Sequence, residues 1–95
     1  MPKGYVIARI SVLDPEGYKA YVAKASEAIR KYGGTPLARG GRCEIVEGEG
    51  RMRNVIIEFE SFERASEYYH SPEYMEARRL RMGISIGDIV VVEGA

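Results

Sequence analysis

Arg53-Asn54-Val55-Ile56-Ile57-Glu58-Phe59 is the stretch on which the fold turns. Val55, Ile57 and Phe59 alternate with Asn54, Ile56 and Glu58, and residues two apart on a strand share a face. The spacing predicts a strand near the middle of the chain and of a sheet, with one apolar face and one face carrying a carboxylate. Helices normally cover the apolar face of such a strand. What covers the other face, toward which Glu58 points, is the question on which function depends.

Upstream, Tyr5 to Leu13 repeats the asymmetry. Val6, Ala8, Ile10 and Val12 fall on one face and Tyr5, Ile7, Arg9 and Ser11 on the other. Asp14-Pro15 is a helix start, with an acceptor at the cap and proline at the first helical position. Tyr18, Tyr21, Val22, Ala25 and Ile29 then form an inner stripe, and Gly33-Gly34 ends the helix. Thr35 to Glu47 is less regular. Pro36 confines it to a sheet edge and Gly40-Gly41 suggests a bulge or bend, giving one bent edge strand or two short ones that include Cys43. Gly48-Glu49-Gly50 is the turn into the central strand.

Downstream, Ser61 caps a helix with inner contacts at Phe62, Ala65, Tyr68 and Tyr69. His70-Ser71-Pro72 interrupts it, because a residue before proline is pushed out of helical geometry. In the next turns Tyr74, Met75, Ala77 and Leu80 are expected inside and Arg78, Arg79 and Arg81 outside. Ile89-Val90-Val91-Val92 is apolar on both sides and predicts a last strand buried on two faces.

Ninety-five residues suffice for one domain, taken as 1–95. Fourteen basic and fourteen acidic side chains cancel, so no positive field draws the chain to nucleic acid or to a membrane surface. The single cysteine, Cys43, has no disulfide partner and there is one histidine, His70, so no Cys/His zinc cluster is expected. Together with the lack of an apolar leader or membrane span, this points to the cytoplasm.

Strand, helix, strand, strand, helix, strand is the split pattern of the ferredoxin-like α+β fold, βαββαβ. Right-handed crossovers place the helices on one face of a four-stranded antiparallel sheet, with the first and third strands central. The other face, with Tyr5, Ile7, Arg9, Asn54, Ile56 and Glu58, needs a cover. A second copy packed sheet to sheet is the economical one, giving a homodimer.

Several stretches together resemble the bacterial family of unknown function numbered 1330, within the dimeric α+β barrel superfamily. They are Gly4-Tyr5-Val6-Ile7-Ala8, Asp14-Pro15 with Tyr18 and Tyr21, Lys31-Tyr32-Gly33-Gly34, Leu37-Ala38-Arg39-Gly40-Gly41, Glu47-Gly48, Ile57-Glu58-Phe59 and Ser71-Pro72-Glu73-Tyr74. The resemblance spans nearly the whole chain and implies the dimeric ferredoxin-like fold, without an activity. Distant members of the superfamily include cofactor-free monooxygenases acting on aromatic polyketides, muconolactone isomerase and haem-binding chlorite dismutases, whose chemistry transfers only by analogy.

Glu58 is the candidate catalytic residue, because a carboxylate on a central strand is costly to bury unless paired, and buried carboxylates serve as proton-transfer groups. Arg39 and Arg9 are its expected counter-ions and are expected to help bind a ligand. The planar fork of Arg39, in a glycine-flanked edge segment, suits the carboxylate of Glu58 or of a substrate. Tyr5, Tyr18 and Tyr21 are expected at a ligand, the last two with Tyr68, Tyr69 and Tyr74 walling a pocket between sheet and helices. The plainer alternatives are a charge network that fixes strand register and tyrosines that serve as core. His70, at a helix break, is read as a surface or capping residue and not as a haem ligand. The expectation is a cytoplasmic homodimer that binds or transforms a small aromatic or anionic metabolite, with no cofactor or metal. The alternative is a non-catalytic dimeric module whose buried charges serve assembly.

Overall fold

The computed structural model describes residues 2–95; Met1, the first residue of the expected domain, lies outside them. Seven elements follow in order: β1 (Gly4–Val12), α1 (Pro15–Lys31), β2 (Thr35–Arg39), β3 (Arg53–Phe59), α2 (Phe62–Tyr69), α3 (Pro72–Arg81) and β4 (Ser85–Glu93). The strands form one antiparallel sheet in the order β2-β3-β1-β4, so β1 and β3 are central and Pro36 sits on an edge strand. This is the ferredoxin-like α+β arrangement expected from the element order.

The helix starts are local chemistry. Asp14 Oδ1 accepts from the Gly17 N–H at 3.2 Å with Pro15 at the start of α1, and Ser61 Oγ accepts from the Arg64 N–H at 3.1 Å at the start of α2. Ser71 does the same for α3 through Tyr74 N–H at 3.0 Å, and the chain leaves helical geometry between α2 and α3 where Pro72 follows it. The core lies between the sheet and these helices. Val6, Ile57 and Phe59 meet Ala25 and Ile29 of α1, Ala65 and Tyr68 of α2, and Tyr74 and Ala77 of α3.

Three expectations are corrected. On α3, Leu80 is 41% exposed and Arg81 is 8% exposed, the reverse of the predicted sides. The inner stripe runs Tyr74, Ala77, Arg81, and the arginine is admitted because a tyrosine hydroxyl meets it. β4 is an edge strand buried on one face only. Ile89 and Val91 pack against the core, whereas Ile86, Val90 and Val92 on the other face stay exposed. Finally, Gly40 to Met52 is a loop and not a second strand, so Cys43 is a loop residue, held by Asn54 Nδ2 at 3.2 Å from its sulfur.

Candidate functional site

A β-bulge decides which residues meet. Pro36 pairs with Ile57 but Ala38 pairs with Ile56, so Leu37 is the extra residue and Arg39 falls opposite Val55. Unbroken pairing would set Arg39 opposite Asn54, on the face of Glu58, since a one-residue shift inverts side-chain direction. With the bulge, Arg39 points to the helix side, where its guanidinium donates to Ser26 Oγ on α1. The expected Arg39–Glu58 pair therefore does not form within one chain.

On the helix side the tyrosines wall a small void of about 40 Å³, and Arg39, Arg53, Tyr18, Tyr21, Tyr68, Tyr69 and Tyr74 are its polar-bearing lining residues. A wider cleft of about 640 Å³ opens beside it, between the first half of α1, the end of β1 and the two end residues of the loop, Gly40 and Met52. Ile10, Tyr18, Val22 and Arg53 line both spaces. The Arg53 guanidinium lies over the Tyr18 ring, 5.3 Å from its centroid, and its Nε is buried without a hydrogen-bond partner. No ion pair among the described residues involves Arg39, Arg53 or Arg81. Neither space is lined by an aspartate, glutamate, histidine or cysteine.

Two hydroxyls around the void are linked to a cation. Arg81 Nε donates to the Tyr74 hydroxyl at 3.3 Å, and Tyr74 and Tyr21 share a hydrogen bond of 3.0 Å. Burial pushes the phenols of Tyr21 and Tyr68 well above the ordinary range, so both remain protonated. Burial also raises Tyr18, with neighbouring Arg53 pulling partly the other way.

Tyr5, Arg9 and Glu58 are on the opposite, helix-free face. Tyr5 and Glu58 are cross-strand partners, and the Tyr5 hydroxyl donates to Glu58 Oε2 at 3.0 Å, which with burial raises the Tyr5 phenol. Arg9 is exposed and donates to the Glu49 carbonyl at 3.3 Å. The loop crosses one end of this face, where Arg51 reaches Asp88 at 3.1 Å and Ser11 at 3.0 Å. The remainder, with Ile7, Ile56, Val90 and Val92, is uncovered. The sequence-predicted residues thus divide into two groups: Arg39, Tyr18 and Tyr21 on one side of the sheet, and Tyr5, Arg9 and Glu58 on the other.

Arg53 and Arg81 were not anticipated. The signal for Arg53 was the strand parity, which puts it on the face of Val55, Ile57 and Phe59. For Arg81 it was the seven-residue spacing from Tyr74, two helical turns on. His70 closes α2 and is exposed, its Nδ1 bonding the Ser66 carbonyl at 2.9 Å, and no group of three or more His, Cys, Asp or Glu among the described residues is placed to hold a metal. No described helix is long and apolar enough to cross a membrane.

Comparison with solved structures finds the same fold in proteins of low identity. A protein of unknown function from Rhodopseudomonas palustris is similar with a TM-score of 0.79 at 17% identity, over 99% of this chain and 83% of that one. A dimeric ferredoxin-like protein of unknown function from Bacteroides fragilis is similar with a TM-score of 0.59 at 16% identity, over 96% and 95%. A cofactor-independent oxygenase from Streptomyces nogalater is similar with a TM-score of 0.65 at 9% identity, over 100% and 95%. No curated protein matches in sequence. The family model of a domain of unknown function, DUF1330, matches residues 3–95, and the chain belongs to that family.

Proposed function

We propose that this chain is a cytosolic binding protein for a small aromatic anion, which lies on the helix side of the sheet near Arg39, Arg53, Tyr18 and Tyr21. The observation that carries the reading is the set of guanidiniums without carboxylate partners beside an aromatic wall. Arg39 is exposed, but Arg53 is half-buried with its Nε closed off from solvent, and a cation partly cut off from water is costly unless an anion joins it. A cleft with apolar walls and few polar groups is the usual form of a small-ligand site. The lack of a carboxylate or imidazole in its lining favours binding over proton-transfer chemistry. The catalytic role considered for Glu58 would need a ligand on the other face.

The test is a thermal-shift screen of aromatic carboxylates and their neutral amides on wild type and on Arg39→Gln. Aromatic acids should raise the melting temperature of wild type, by an amount equivalent to about 2.7 kcal/mol at a hundred times Kd, and raise that of the variant less. If no acid shifts wild type, the reading fails.

A second reading, compatible with the first, concerns the bare face. Ile86, Val90 and Val92 are 52%, 54% and 42% exposed beside Ile7, Ile56 and the Tyr5–Glu58 pair. Contiguous apolar surface of this kind favours a cover, and a second copy of the chain closes both faces at once. On this reading Tyr5, Glu58 and Arg9 serve assembly. Light scattering of wild type should give twice the mass of one chain, and Val90→Lys should return it to one. A monomeric wild type would remove the dimer.

A further inference from the structure

The cleft and the void meet at one side chain. Arg53 lines both, and its position is set from three sides. The Tyr18 ring lies under the guanidinium. Burial closes Nε off from solvent. On the third side is Gly40, whose hypothetical Cβ would fall 2.3 Å from Arg53 Nη1, so a side chain there would push the guanidinium aside. Gly40 also has φ +67, a conformation that other residues rarely adopt. The sequence thus keeps a cation where an open apolar cleft meets a small, mostly apolar void walled by tyrosines, with its Nε unpaired.

The lining selects the chemistry. The cleft wall is mostly Ile10, Val12, Pro15, Val22 and Met52, and its polar members besides Arg53 are Ser11, Tyr18 and Lys19. Lys19 is exposed and already paired with Glu16 at 2.7 Å. One unpaired guanidinium matches one negative charge. A guanidinium holds a carboxylate bidentately through two parallel N–H donors, and with Nε closed off from solvent the pair open to a ligand is the two Nη groups of Arg53. The void of about 40 Å³ has space for an oxygen atom or a water but not for a ring. An acid with an apolar body therefore fits in one orientation, with its carboxylate inward at Arg53 and its body outward along the cleft.

We propose that Arg53 is the specificity-determining residue of this site, and that the site takes a monocarboxylic acid with an aromatic or compact apolar body, bound head-first with its carboxylate on Arg53. The inference rests on the binding reading above and narrows it to a charge state, a head group and an orientation.

The test uses 3-phenylpropionate, its neutral amide and phenyl phosphate, titrated into wild type, Arg53→Met and Gly40→Ala by calorimetry, with the fold of each variant checked by circular dichroism. The expected result is binding of the acid to wild type, binding of the amide and the phosphate weaker by about tenfold or more, and a similar loss of acid binding in Arg53→Met. Gly40→Ala should lose affinity too, because the added methyl displaces the guanidinium. A measurement on wild type alone guards against variants that misfold: in a nitrogen-proton NMR spectrum, the Arg53 Nε–H resonance should move as the acid is added. Acid binding that survives Arg53→Met and leaves that resonance in place overturns the assignment while the wider reading stands. Equal binding of phenyl phosphate overturns the carboxylate preference, and no binding of any aromatic acid to wild type overturns both.

Discussion

Arg81 Nε donates to the Tyr74 hydroxyl at 3.3 Å, seven residues away on the same stripe of α3, and its guanidinium lies 5.7 Å from the centroid of the Tyr21 ring on α1. A charged side chain thus joins the third helix to the first where the sequence pattern suggested leucine.

Exchanging the expected roles tests this. Arg81→Met removes the donor and the cation and should destabilise the fold by about 1–3 kcal/mol, as for a buried hydrogen bond to a charged group. Leu80→Lys, on the exposed side, should stay within about 0.5 kcal/mol of wild type. Urea unfolding of both variants decides it, and a Leu80→Lys defect larger than that of Arg81→Met would show the stripe to be wrongly assigned.

A second prediction concerns acid. The Lys31 ammonium hydrogen bond, with a backbone donor and the Tyr32 hydroxyl at 2.9 Å, pulls the Glu73 carboxyl from its ordinary 4.5 to about 2. Between those pH values the unfolded chain binds more protons than the folded one, so stability rises with pH. The contribution is present above about pH 4.5 and is lost as the pH falls toward 2. Glu73→Gln should flatten this part of the stability profile, measured by urea unfolding across the range. An unchanged slope would count against the assignment.

The bulge gives a third prediction. Deleting a residue from a strand ordinarily inverts every side chain beyond it. Leu37 is the unpaired residue between Pro36 and Ala38 and is 55% exposed. Its deletion should keep Arg39 opposite Val55 and cost no more than about 1 kcal/mol, whereas deleting Ile56 from the central strand should abolish folding. Circular dichroism and thermal melting of the two deletions test this, and an unfolded Leu37 deletion would contradict it.

The fold was legible because its signals are local. Asp14, Ser61 and Ser71 each cap a helix from within three residues, and β1 and β3 show their faces by plain alternation. The candidate site was legible only in part. Arg39 reads as a ligand-binding residue on the face of Glu58, but its face depends on where the sheet absorbs an extra residue, and Gly40-Gly41 suggested a place three residues too late. Arg53 was hidden at the edge of the defining strand, since a long cation at a strand end looks solvated until Tyr18 and Gly40 are seen around it. For β4, a run apolar on both sides cannot say whether its second cover belongs to the same molecule.

The crowding of phenol rings around the void has a practical side. The chain has no tryptophan, and the rings of Tyr18 and Tyr21 are 4.9 Å apart, with Tyr21 and Tyr74 at 6.3 Å. Ultraviolet emission therefore comes from tyrosine alone, and neighbours this close exchange excitation. A solute that settles among them would alter brightness and lifetime without any dye, making the protein its own optical gauge of occupancy.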